Sequence, residues 1–147
     1  MLRQIAAAAS RIQPTEHRLA LREEAGLTVI DDAFNSNPVG ARNAVEILGQ
    51  MDGTRVIVTP GMVELGDRQY DENKTFGTHI AQHADLAVLV GKEQTRPIQD
   101  GLREAGYPDN QIAIVNTLFE ARDVVRARTK PGDTVLYEND LPDQYNG

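Results

Sequence analysis

Cysteine and tryptophan are absent from the 147 residues, and only 5% are aromatic. Without cysteine there can be no disulfide and no thiolate metal site, which fits a cytoplasmic protein. Positive charge is also in deficit: 15 Lys and Arg face 22 Asp and Glu, for a formal net charge of −7. A phosphate-backbone binder shows a basic face, so no nucleic-acid partner is expected. The one dense basic run, Arg122 to Lys130, falls at the end of a predicted helix, where it complements the helix dipole. No apolar run approaches membrane-spanning length and no secretory signal pattern is present, so no membrane partner is expected either.

Several catalytic signatures are missing too. No G-x-x-x-x-G-K-[ST] loop exists to cradle a triphosphate, and no G-x-G-x-x-G follows a strand. There is no nucleophile elbow. His79 and His83 are four apart, but Ile80 stands where a zinc protease needs Glu, so the pair reads as an exposed one without a metal. No metal ligand set is expected in this chain.

What is present is a 40% hydrophobic chain, enough for one domain with a real core. Its organising stretch is Ile30-Asp31-Asp32-Ala33-Phe34-Asn35-Ser36-Asn37-Pro38. The apolar Leu27 to Ile30 reads as a buried strand followed by acids and small polar residues. Asn37 suits an N-cap and Pro38 the first helical turn. This is a strand-to-helix crossover, the edge where open α/β sheets take ligands. The same residues equally serve a structural reading, in which Asp31, Asn35 and Asn37 only cap and turn the chain.

Met1 to Ile12 reads as an Ala-rich helix whose Leu2, Ile5, Ala6 and Ala9 need a surface to pack on. Strands are predicted over Arg18 to Arg22 and Leu27 to Ile30, joined by the turn Glu23-Glu24-Ala25-Gly26. The pattern then alternates. Helices are predicted over Pro38 to Leu48, Arg68 to Ala84, Pro97 to Ala105 and Leu118 to Arg128. Between them lie strands over Arg55 to Thr59, Leu86 to Val90, Gln111 to Val115 and Thr134 to Tyr137. Thr117 and Glu120 stand in capping-box spacing. The expected fold is α/β: a doubly wound, mostly parallel Rossmann-like sheet of about six strands with one antiparallel edge strand.

The polar loops all follow strands and so share one edge. One is Thr59-Pro60-Gly61-Met62-Val63-Glu64-Leu65-Gly66-Asp67, whose glycines allow positive φ and close approach. Asn73 extends the Phe76 and Ile80 stripe back to the first turn of its helix. A polar residue there is expected to tie down the Glu64 loop, direct ligand contact being the other reading.

Three ordered motifs then resemble the C-terminal domain of the Mur ligases, ATP-dependent amide-bond-forming enzymes of peptidoglycan synthesis. His17-Arg18-Leu19 looks like that domain's H-R-hydrophobic entry. Val29 to Pro38 looks like the D-D-x-[YF]-N-x-N-P signature of the ligases that add D-alanyl-D-alanine to a UDP-N-acetylmuramoyl peptide. Gly61-Met62-Val63-Glu64-Leu65-Gly66 looks like their G-x-M-x-E-L-G loop. The resemblance spans about Thr15 to Tyr137. It implies that residues 1–14 end a preceding central domain, and that residues 15–147 are the C-terminal domain. A central domain would then carry the phosphate loop and the magnesium ligands.

Carried over residue by residue, the resemblance gives Arg18 to the ATP phosphates and Asp32 to the nucleotide ribose. Phe34 and Asn35 would line the nucleotide, while Glu64 and Asn73 would lie nearer the incoming amino component. No catalytic residue is assigned to this chain. The implied partners are ATP, a UDP-N-acetylmuramoyl peptide, and an amino acid or dipeptide. Two departures from the pattern fall on the substrate edge: Pro60-Gly61 before Met62, and Glu138-Asn139-Asp140-Leu141-Pro142 in place of a Gly-Ser-Arg-like turn. They leave the amino component open. The alternatives are another ligase sharing this domain, of the folylpolyglutamate or cyanophycin synthetase type, or a non-catalytic nucleotide-binding module. The Asn35-Ser36-Asn37-Pro38 run argues against the first, and the three ordered motifs against the second.

Overall fold

A computed structural model describes residues 20–32, 38–62 and 66–138. The predicted helix over Met1 to Ile12 lies outside the described residues, as does the tail after residue 138. Among the described residues six strands form one sheet: β1 Ala20–Glu24, β2 Leu27–Asp32, β3 Arg55–Thr59, β4 Leu86–Val90, β5 Ile112–Val115 and β6 Thr134–Glu138. Their order across the sheet is β1-β2-β6-β3-β4-β5. Only the β1–β2 pair is antiparallel; the four other pairings are parallel. The expected architecture is therefore the observed one.

Four α-helices among the described residues connect the strands: α1 Pro38–Gly49, α2 Gln69–His83, α3 Arg96–Glu104 and α4 Leu118–Arg128. Side chains alternate along each strand, so the parallel strands feed two cores. Ile30, Ile57, Leu89 and Leu136 pack with Val45 and Leu48 of α1, Phe76 and Ile80 of α2, and Ile98 and Leu102 of α3. Val56, Val58, Val88 and Val135 pack on the other face with Ala121 and Val125 of α4. β4 is buried along its whole length, as a two-sided parallel strand should be.

Helices α2 and α3 meet through glycines. A Cβ at Gly101 would run into the carbonyl oxygen of Lys74, and one at Gly77 into that of Ile98. At α4, Thr117 Oγ1 accepts from the Glu120 N–H at 3.1 Å. Glu120 in turn accepts from Asn116 N at 2.8 Å, one residue before the usual partner of a capping box. Among the described residues no helix is long and apolar enough to cross a membrane.

Several boundaries differ from expectation by a residue or two, three of them near the ends of β1, β2 and α2. The β1–β2 turn is shorter than predicted, only Ala25 and Gly26, with φ of 55° and 86°, the two positive values of a type I′ hairpin. β2 runs on through Asp31 and Asp32, which pair with Tyr137 and Glu138 of β6, so the two acids belong to the strand. Residues 66–68 form a 3₁₀ turn, so α2 starts at Gln69 and not at the predicted Arg68. The imidazoles also correct an expectation. His79 is not exposed: its side chain retains 18% of its accessible surface, with Nε2 3.3 Å from Glu46 on α1. Its ring lies 4.8 Å from that of His83. Burial, then the neighbouring His83, depresses the His79 pKa below the ordinary imidazole value.

Candidate functional site

The parallel strands β2, β6, β3 and β4 end on one edge, at Asp32, Glu138, Thr59 and Val90. That is the carboxyl edge, where the crossovers of an open α/β sheet leave room for a ligand. Of the sequence-predicted site residues, Arg18, Phe34, Asn35 and Glu64 lie outside the described residues, as does the entry residue His17. Asp32 is described by its backbone, which pairs with Glu138 at the end of β2. Asp31 is engaged elsewhere, its Oδ2 accepting from the Arg22 guanidinium at 2.9 Å. Glu24 accepts from the same guanidinium at 2.7 Å. The hydrogen bond to Glu24, then that to Asp31, holds the Arg22 pKa above its ordinary value.

Asn73 sits on α2 beneath the loop after β3 and is only 1% exposed. Its Oδ1 accepts from Met62 N at 2.8 Å. Its Nδ2 donates to Met62 O at 2.9 Å and to Gln69 O at 2.8 Å. Both amide protons and one acceptor site of the carboxamide are thus spent on backbone. Gly61 holds a φ of 89°, a left-handed value that suits glycine, and a Cβ there would meet Asn73 Oδ1 at 3.2 Å. The Gly61 N–H donates to Thr59 Oγ1 at 3.0 Å. Backbone from Thr59 to Met62 is therefore held by two buried side chains.

The neighbouring loop, after β4, is braced in the same manner. Buried Thr95 donates through Oγ1 to Gly91 O at 2.6 Å. Gln99 Nε2, also buried, donates to Lys92 O at 2.9 Å. Gln94 then spans the two loops, donating from Nε2 to Pro60 O at 2.7 Å. Sequence reasoning gives Thr59 and Glu138 only as loop and turn positions, with no role, and misses Gln94. Glu138 is fully buried at the end of β6, although the predicted strand stops at Tyr137. Its signal is adjacency to the apolar run that precedes it, whereas a lone Gln in a polar loop carries no signal.

This edge offers, among the described residues, backbone held in place on the two loops that follow β3 and β4. Among the described residues no three His, Cys, Asp or Glu side chains converge to hold a metal ion. Residues 17–137 match the family described as "Mur ligase, glutamate ligase domain". The chain belongs to that family.

This Mur ligase domain is 30% identical to the UDP-N-acetylmuramoyl-tripeptide–D-alanyl-D-alanine ligase of Mycobacterium tuberculosis, over 90% of this chain and 30% of that protein. It is 26% identical to the UDP-N-acetylmuramoylalanine–D-glutamate ligase of a Thermoanaerobacter strain, over 82% of this chain and 25% of that protein. The structure of MurF ligase from Thermotoga maritima in complex with ADP shares the fold, with a TM-score of 0.72 and 18% identity over 99% of this chain and 33% of that one. The Mur ligase domain spans about a third or less of the length of these relatives. The family resemblance carried by the three sequence motifs is borne out.

Proposed function

We propose that this domain is the C-terminal part of an ATP-dependent ligase that extends a UDP-N-acetylmuramoyl peptide in the cytoplasm. The reaction joins the peptide's carboxylate to the amine of an amino acid or of D-alanyl-D-alanine. The carboxylate oxygen attacks the γ-phosphorus of ATP and ADP leaves, giving an acyl phosphate. The amine then adds to the acyl carbon, and the tetrahedral intermediate loses phosphate to give the amide and a proton. The family match over residues 17–137 carries this reading, and the end of β2 at Asp32 on the ligand-facing edge supports it.

In this proposal Arg18 pairs with ATP phosphates, for which a bidentate guanidinium is well suited. Asp32 accepts from the ribose hydroxyls, while Phe34 and Asn35 flank the nucleotide. Glu64 belongs to the amine side. Asn73 serves that side through the Met62 backbone it fixes. Residues 1–14 are the end of a central domain. Magnesium would be held in that central domain, as the family resemblance implies, and no step here is routed through it. The domain's contribution is positioning, charge neutralisation and exclusion of water upon closure.

The test is ADP and phosphate release by the full-length protein, supplied with ATP, Mg²⁺, a UDP-N-acetylmuramoyl peptide and a panel of amines. Release that requires both the peptide and one class of amine supports the proposal. Stimulation by a folate or a cyanophycin primer instead would overturn it. The 147-residue chain alone is expected to turn over no ATP under the same conditions.

A further inference from the structure

The loops after β3 and β4 are joined by a side chain that the reaction outlined above does not use. Gln94 is exposed, yet its Nε2 is held at 2.7 Å by the carbonyl of Pro60. The loop that carries it does not yield easily. Thr95 and Gln99, both nearly or fully buried, bond to Gly91 O and Lys92 O, and Gln99 Nε2 also lies 3.1 Å from Thr95 Oγ1. A Cβ at Gly91 would touch Gln94 Cβ at 3.4 Å, so the turn packs against the stem of Gln94. On the receiving side, Gly61 N is bonded to Thr59 and Met62 N to Asn73. Pro60 has no N–H of its own to anchor it. Its carbonyl is where an outside donor can fix the start of the loop.

We infer that Gln94 is a positioning residue for the amine side of the reaction, setting the Pro60–Met62 backbone from the loop after β4. The inference rests on the proposed ligase function. Sheet order makes it selective. The β2 crossover, proposed for the nucleotide, is separated from β3 by β6, two strand spacings or about 10 Å away. A shift in the Pro60–Met62 backbone therefore acts on the β3–β4 side of the edge and leaves the nucleotide side in place.

The experiment compares two variants in the full-length protein. Gln94→Met keeps the side chain's length without a donor; Gln94→Arg keeps an N–H donor with longer reach. The Met variant is expected to raise KM for the amine component about fivefold, the equivalent of one neutral hydrogen bond. Its KM for ATP should stay within about twofold, and the Arg variant should recover most of the loss. Hydrogen exchange at the Gly61 and Met62 amides should quicken in the Met variant alone. Unchanged kinetics, an equal rise in both KM values, or an Arg variant as impaired as Met would each overturn the inference. If wild-type protein shows no peptide-dependent ADP release, the ligase proposal itself fails. Exchange at Gly61 and Met62 then decides the pinning alone, and unaltered exchange overturns it.

Discussion

Asp31 and Asp32 are consecutive acids, and the proposed function gives them separate work. Asp31 is engaged by Arg22 across the β1–β2 hairpin, with both side chains partly in solvent. A pair of that exposure contributes no more than about 1 kcal/mol. We therefore expect Asp31→Ala to lower the melting temperature slightly, by less than about 1 kcal/mol in stability, and to leave KM for ATP unchanged in the full-length protein. Asp32→Ala should do the opposite, raising KM for ATP several-fold with the melt unmoved. Steady-state kinetics and thermal melts of both variants decide it, and the reverse pattern would exchange the two roles. At this scale the sequence is legible where chemistry imposes periodicity. Asn73 declares itself by breaking an apolar stripe, and the structure gives it three backbone partners. Glu138 and Gln94 give no such sign, since burial of one and reach of the other depend on distant strands and loops. The His79–His83 spacing is visible, but the packing of α1 that half-buries His79 is not.

At the scale of elements, the α2–α3 crossing is set by two glycines on facing helices. Alanine is the better helix former by about 1 kcal/mol, so an isolated helix would welcome Gly101→Ala. Here the new methyl meets the Lys74 carbonyl, and overpacking of that kind costs about 1–3 kcal/mol or more. Net destabilisation is expected, visible as a lower urea midpoint with an unchanged slope. The β1–β2 hairpin offers the opposite case. Ala25 occupies a left-handed φ of 55° in the first position of a type I′ turn, where Asn is preferred. Ala25→Asn should raise stability by about 0.5–1 kcal/mol, measured in the same titration. Element boundaries are legible where an apolar run meets a strong stop. β3, β4 and α4 match their predicted limits for that reason. The extension of β2 through Asp31 and Asp32 is not, because acids are poor strand formers and only their pairing with β6 keeps them extended.

For the whole molecule, acid response should centre on the edge opposite the site. Asp133 is 1% exposed. It accepts from Thr54 N at 2.8 Å and from Lys130 N at 2.9 Å, linking the turn before β6 to the entry of β3. Desolvation pushes its pKa up, but the hydrogen bonds from Thr54 and Lys130 outweigh it, and the net shift is downward. A carboxylate with a folded pKa below its unfolded one contributes its full stability above the ordinary carboxylate range. That stability is lost as pH falls through the lower folded value. Asp133→Asn should lower the melting temperature at neutral pH and flatten its decline below about pH 5. A decline as steep as wild type would place acid sensitivity elsewhere. The fold class is legible from alternating strand and helix patterns, but the order of strands is not, because pairing partners lie far apart in sequence.

That order has a consequence for synthesis. β6, the last strand described, lies between β2 and β3 and hydrogen-bonds to both. As the polypeptide leaves the ribosome, β1 and β2 emerge early, and β3, β4 and β5 can pair among themselves soon after. Neither group can reach the other until residues 134–138 are free of the exit tunnel. A nascent chain halted just before Thr134 holds two partial sheets with a strand-wide gap, each showing an unpaired parallel edge open to other chains. Among the described strands β6 works as a keystone, and the two partial sheets lose their open edges only when residues 134–138 arrive.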